Sequence, residues 1–108
     1  MGRVESYDIE FSDDAERQLS GVPRYFQPII LREIRENLLF QPDKKIKNRK
    51  PMERPNEYGK WELRVTRKKQ GFRVLYETID FPEKKVFVRN IAVKDRSVWR
   101  IDGEVVDL

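Results

Sequence analysis

Tyr7-Asp8-Ile9-Glu10-Phe11 alternates apolar and polar residues at period two, which predicts a half-buried strand. Ser12 or Asp13 then stands at an N-cap position, and Asp14 and Glu16 suit the positive end of a first helical turn. Ala15, Leu19 and Val22 share one face of this short helix, and Gly21 and Pro23 end it. Pro23 also suits the first turn of a second helix. There Phe26, Ile29, Ile30, Ile34 and Leu38 recur at three- and four-residue steps up to about Phe40. Pro28 falls in the first turns, and Gln41-Pro42-Asp43 is the stop. The two segments read as a helical hairpin with one apolar stripe.

The period then changes. Residues 43–59 are polar and basic, with prolines at 51 and 55 and Gly59, and predict a long ordered loop or a broken strand. Trp61 to Thr66 alternates strictly, and Phe72 to Glu77 alternates apart from Leu75. Val86 to Val93 is apolar on both faces, as a central strand should be. Turns fall at 67–70 and 80–84. Val98-Trp99-Arg100-Ile101 and Glu104-Val105-Val106 flank Asp102-Gly103, a strong two-residue hairpin signal. The predicted order is β-α-α-β-β-β with a possible C-terminal hairpin. Helices grouped before antiparallel strands make this an α+β fold, with the helical hairpin on one face of a curved antiparallel sheet and the other face free.

The first long hairpin can be registered from its apolar residues. Trp61 opposite Tyr76, Leu63 opposite Val74 and Val65 opposite Phe72 make one face wholly apolar or aromatic, and a one-residue slip destroys the match. The other face then pairs Glu62 with Leu75, Arg64 with Arg73 and Thr66 with Gly71. Like charges directly across two strands destabilise a sheet. Arg64 opposite Arg73 is therefore a local cost, relieved either by Glu62 or Glu77 nearby or by a phosphate shared between two guanidiniums, whose planar donor forks fit its oxygens.

Charge sharpens this reading. The chain has 108 residues, one domain's worth, and a net charge of +4. Lys44 to Arg73 carries twelve basic residues against three acidic ones, a net +9. Such a segment is either a solvated lysine-rich face or the footprint of an anionic partner such as nucleic acid. The chain has no cysteine and no histidine, which excludes disulfides, thiolate sites and the histidine-based nucleophile systems. No apolar run reaches the roughly 20 residues of a membrane span. The opening Met1-Gly2-Arg3-Val4-Glu5 does not read as a signal peptide. A cytoplasmic protein with no membrane partner is the expectation.

The ordered set "YDIEFSDDAERQL", "LLFQP", Lys50-Pro51 and "WELRV…GFRVLYE…VFVRNIAVKDR" resembles the RelE/ParE toxin superfamily of type II toxin–antitoxin systems over roughly residues 7–96. The resemblance implies a compact toxin neutralised by a cognate antitoxin. In the RelE branch it implies a metal-independent endoribonuclease without cofactors, an mRNA interferase acting on mRNA in the A site of the ribosome. In the ParE branch it implies an inhibitor of DNA gyrase. Arg64, Arg73 and Arg96 match by position the basic residues that orient RNA in RelE-like enzymes. Glu53 lies near the loop glutamate that serves as a base in a related branch. Glu62 stands where some members have a catalytic lysine. No tyrosine follows Arg96, and Trp99 lies near the place of a tyrosine that stacks and assists.

Cleavage by 2′-OH attack needs a base, stabilisation of the extra phosphorane charge and an acid for the 5′ oxygen. Arg64, Arg73 and Arg96 can supply the second. Glu53 or Glu62 is the base candidate, and Lys50 and Lys60 are the remaining acid candidates. Lys50, Lys60, Arg67, Lys68, Lys69 and Trp99 are the expected RNA contacts. Each has a plainer alternative: Glu53 as a surface partner for a lysine, Trp61 and Tyr76 as packing aromatics, Trp99 as the anchor of the terminal hairpin. Three functions remain open: a RelE-like ribonuclease, a ParE-like gyrase inhibitor, and a non-toxic nucleic-acid-binding relative.

Overall fold

The alternating segment at the N-terminal end forms a strand, β1 (Asp8–Phe11), in the computed structural model, which describes residues 6–67 and 70–108 without the side chains of 66, 67 and 70. The helices are α1 (Asp13–Ser20) and α2 (Gln27–Leu38). The later strands are β2 (Arg49–Pro51), β3 (Trp61–Arg67), β4 (Gln70–Ile79), β5 (Lys85–Asp95), β6 (Val98–Ile101) and β7 (Glu104–Val106). Helices precede a long run of antiparallel strands, so the α+β class holds.

Ser12 is the N-cap: its Oγ accepts from the Ala15 N–H at 3.0 Å and donates to the Arg89 carbonyl at 2.6 Å, so one hydroxyl both starts α1 and ties it to the sheet. Pro23 lies in a turn ahead of α2 rather than in its first turn; the Phe26 N–H closes that turn onto the Pro23 carbonyl at 2.8 Å. Pro28 does sit at the start of α2, where a missing N–H is harmless. Ala15, Ile30, Ile34 and Leu38 pack against Leu63, Val74, Tyr76, Val86 and Val88 on the helix-covered face.

The order across the sheet is β2-β3-β4-β5-β6-β7. The β3–β4 register is the one expected, with Trp61 on Tyr76, Leu63 on Val74 and Arg64 on Arg73. The Asp102-Gly103 hairpin also forms, with φ of 55° and 79°, both left-handed as a tight two-residue turn requires.

Four features depart from the sequence expectation. First, β1 adds to the sheet in parallel, Asp8 beside Lys85 through Phe11 beside Val88, so the sheet is mixed. Second, part of the 43–59 loop is a strand: β2 lies along β3 with Lys50 opposite Glu62. Third, the β4–β5 register shifts at Leu75/Tyr76, which face Asn90 and Val88, leaving Arg89 as the extra residue of a bulge. The bulge turns Val86, Val88, Ile91 and Val93 to the helix side while Asn90 and Ala92 face away, which explains a strand apolar on both faces.

Fourth, the face opposite the helices is not free. Leu75, Ala92, Trp99 and Ile101 form a second small core there, covered by Met52, Tyr58, Val106 and Leu108. Residues 52–60 cross it as a strap. Asn56 Oδ1 accepts from the N–H groups of Tyr58 and Gly59, and Asn90 donates to the Tyr58 carbonyl at 2.9 Å. The strap presses so closely on β4 that a Cβ on Gly59 would stand 2.8 Å from the Leu75 Cβ.

Candidate anion-binding face

The cross-strand rows opposite the helices decide which charges meet. Lys50, Glu62, Leu75 and Asn90 form one row across β2 to β5, and Arg64, Arg73 and Ala92 form the next. Gly71, Lys94 and Trp99 lie in a third. The strap covers the first row, and Arg64 remains exposed in the second.

Arg64 and Arg73 differ although they face each other. Arg73 is only 8% exposed, and Glu62 beside it 4%. The Arg73 guanidinium bends back along its own strand: Nη1 donates to the Phe72 carbonyl at 3.3 Å. A Cβ on Gly71 would stand 2.6 Å from that Nη1, so a glycine two positions earlier on the same face makes the berth. Among the described residues Arg73 Nε is buried without a hydrogen-bond partner, and Glu62 Oε1 is 3.8 Å from it. That is an ion pair by charge but too long for a hydrogen bond. Burial first, and the facing Arg64 second, push the Arg73 pKa below the ordinary arginine value, while Glu62 pulls it back. Arginine does not deprotonate in proteins, so Arg73 remains a cation held in place by its neighbours.

The other expected site residues spread over the face. Arg96 occupies the turn from β5 to β6 in a left-handed conformation, φ 59°, and is exposed. It makes no ion pair with an acidic side chain among the described residues. The side chains of Arg67, Lys68 and Lys69 lie outside the described residues. Lys60 is exposed at the end of the strap, its N–H bonded to the Tyr76 carbonyl. Lys50 reaches Glu53 at 3.9 Å, and the Glu53 side chain is 88% exposed. Glu53 is thus a solvated partner of a lysine, with no ion pair to Arg64 or Arg73.

Trp99 is 6% exposed and packed in the second core, with Lys94 Nζ 4.8 Å from its ring centroid. It anchors the terminal hairpin and offers no open face for stacking a base. Trp61 stacks on Tyr76 at 6.2 Å between centroids, on the helix side. Sequence reasoning overlooked Lys94 and the role of Gly71. The signal for the latter was a glycine within a strand, which marks close approach.

Among the described residues no group of three or more histidine, cysteine, aspartate or glutamate side chains is placed to hold a metal. No described helix is long and apolar enough to cross a membrane. A cleft of about 500 Å³ opens elsewhere, on the helix side, between α1 and the β6–β7 hairpin; Val22, Phe72, Ile91 and Arg100 are in its wall. Chemically, the face opposite the helices can hold an anion against an exposed and a buried arginine. It does not bring a base and an acid together at that point.

Set against family models, curated proteins and solved structures, the chain finds no match.

Proposed function

We propose that the chain is a RelE-like toxin of a type II toxin–antitoxin pair, an endoribonuclease that cuts ribosome-bound mRNA and so inhibits translation. The observation that carries this is Arg64 facing Arg73 across β3 and β4, with Arg73 buried and its Nε unpartnered among the described residues. Two cations set side by side cost folding energy that Glu62 offsets only from 3.8 Å, and a phosphodiester taken between them removes their repulsion. The order of two helices before three long strands, together with the sequence resemblance, supports the RelE-like fold.

In this reading Arg64 contacts the scissile phosphate, Arg73 adds charge from beneath, and Arg96 reaches in from the turn. Stabilising the phosphorane's charge is the part of the reaction these residues perform. Glu53, a carboxylate on the strap, is the group that accepts a proton in this reading, and the ribosome supplies the substrate geometry. An antitoxin with an acidic segment is the partner proposed for the basic face.

Induced expression with mapping of mRNA ends in ribosomes tests this. The wild-type protein should arrest growth and cut message, and the exposed-site variant Arg64→Ala should do neither. Unchanged arrest and cleavage by Arg64→Ala defeats the proposal. A gyrase-directed toxin is the second reading. It is favoured by the buried carboxylate of Glu62 at a lysine position and by the solvent-exposed side chain of Glu53. DNA-damage signalling with intact mRNA is its signature.

A further inference from the structure

Glu62 is an acidic side chain at the centre of a basic face. It is 4% exposed and pairs in register with Lys50 on one side and Leu75 on the other. Arg64 lies two residues on, on the same side of β3. A carboxylate placed only to neutralise an arginine closes onto it with two short hydrogen bonds, at about 2.7–2.9 Å. Glu62 stays 3.8 Å from Arg73 Nε, which has no hydrogen-bond partner among the described residues. It balances the charge of Arg73 without saturating its donors.

We propose that Glu62 is an affinity-setting residue: a built-in anion that holds Arg73 for folding and competes with an incoming phosphate for its field. The same carboxylate that lets two arginines lie side by side lowers the attraction they exert on a ligand. The three charges leave one net positive charge, enough to attract a phosphodiester and too little to trap it. Screening by salt is weak at so buried a pair, so the opposition persists at physiological ionic strength. This inference rests on the reading of Arg64 and Arg73 as a phosphate site and assigns the residue that tunes it.

The test is fluorescence anisotropy with a short single-stranded 2′-O-methyl RNA, which lacks the attacking hydroxyl and cannot be cut. Glu62→Gln should bind it about tenfold more tightly than wild type, because a buried negative charge beside the phosphate-holding arginines has been removed. Glu62→Asp keeps the charge and should stay within about twofold of wild type. Glu62→Gln should also melt at lower temperature, since Arg73 loses its counter-charge. A residue with only a structural role produces that loss without tighter binding, and this result overturns the proposal. Should Glu62→Gln fail to fold, the comparison moves to the Arg64→Gln background, where one like charge is gone. There R64Q/E62Q should bind more tightly than R64Q, and equal or weaker binding overturns the proposal. If wild type binds and Arg64→Gln weakens it while Glu62→Gln is no tighter, only this inference falls. If neither wild type nor Glu62→Gln binds, the phosphate site falls with it.

Discussion

Replacing Arg64 by glutamine should make the protein more stable while it weakens polyanion binding. Arg64 is exposed and faces Arg73 directly, with no acidic partner within ion-pair distance among the described residues. Its backbone N–H is bonded to the Asn48 carbonyl at 2.7 Å, a contact the substitution leaves intact. A like-charged pair across a sheet costs about 0.2–1 kcal/mol. Glu62, two residues along β3, returns part of that through attraction to Arg64, so we take about 0.5 kcal/mol, near the middle of the range. For a domain of this size, a gain of that order raises Tm by about 2 °C. The gain is Coulombic and solvent-facing, so it should shrink in high salt, where the Debye length falls to about 3 Å at 1 M. Thermal melts of wild type and Arg64→Gln at low and high salt are the assay. Arg54→Gln is the control, because it breaks an exposed pair with Asp107 at 3.0 Å and should lower Tm slightly or leave it unchanged. If Arg64→Gln melts at or below the wild-type temperature in low salt, the claim that the facing arginines oppose folding is refuted.

Tyr76→Phe should lose about 1–3 kcal/mol in urea denaturation, because the Pro42 carbonyl is left buried and unpaired; the Tyr76 hydroxyl now donates to it at 2.6 Å. Gly59→Ala should lose about 1–3 kcal/mol through overpacking and speed proteolysis within the strap, since the new Cβ has no space over Leu75. Asp102 is held below its ordinary pKa of 3.8, chiefly by the hydrogen bond from Arg17 and further by one from Gln18. A depressed carboxylate contributes stability in full above its unfolded value, and that stability is lost as pH falls through the folded value. The Tm difference between wild type and Asp102→Asn should therefore be present at neutral pH and vanish as pH drops below 3.8.

The parts of the fold legible in the sequence were those decided by neighbours along the chain or across a tight turn. The β3–β4 register followed from three apolar pairs that match in one alignment only, and the terminal hairpin from Asp102-Gly103. Parallel pairing of β1 with β5 was invisible, because its partners come from opposite ends of the chain and no local pattern marks them. The bulge at Arg89 escaped as well: Val86 to Val93 is apolar throughout, so its period carries no record of which residue is extra. The second core was missed because Met52 and Tyr58 are isolated apolar residues in a polar stretch, and only the close seat of Gly59 on Leu75 brings them down. At the site, the juxtaposition of Arg64 and Arg73 was legible. The unequal burial of the two was not, since it depends on the strap and on the berth left by Gly71.

The parallel seat of β1 beside β5 has a consequence for the protein while it is being made. The helical hairpin leaves the ribosome early, but the strands against which Ile30, Ile34 and Leu38 pack emerge much later, and β1 waits for Lys85 to Val88. Contacts so distant along the chain must first overcome loop-closure entropy. A nascent chain truncated before β5 therefore has neither a covered core nor the row in which Arg73 neighbours Ala92. Pulse proteolysis of stalled chains should show protection arising abruptly once β5 has cleared the exit tunnel. The face proposed to hold a polyanion would then be among the last features to mature, with the machine that synthesised it close at hand.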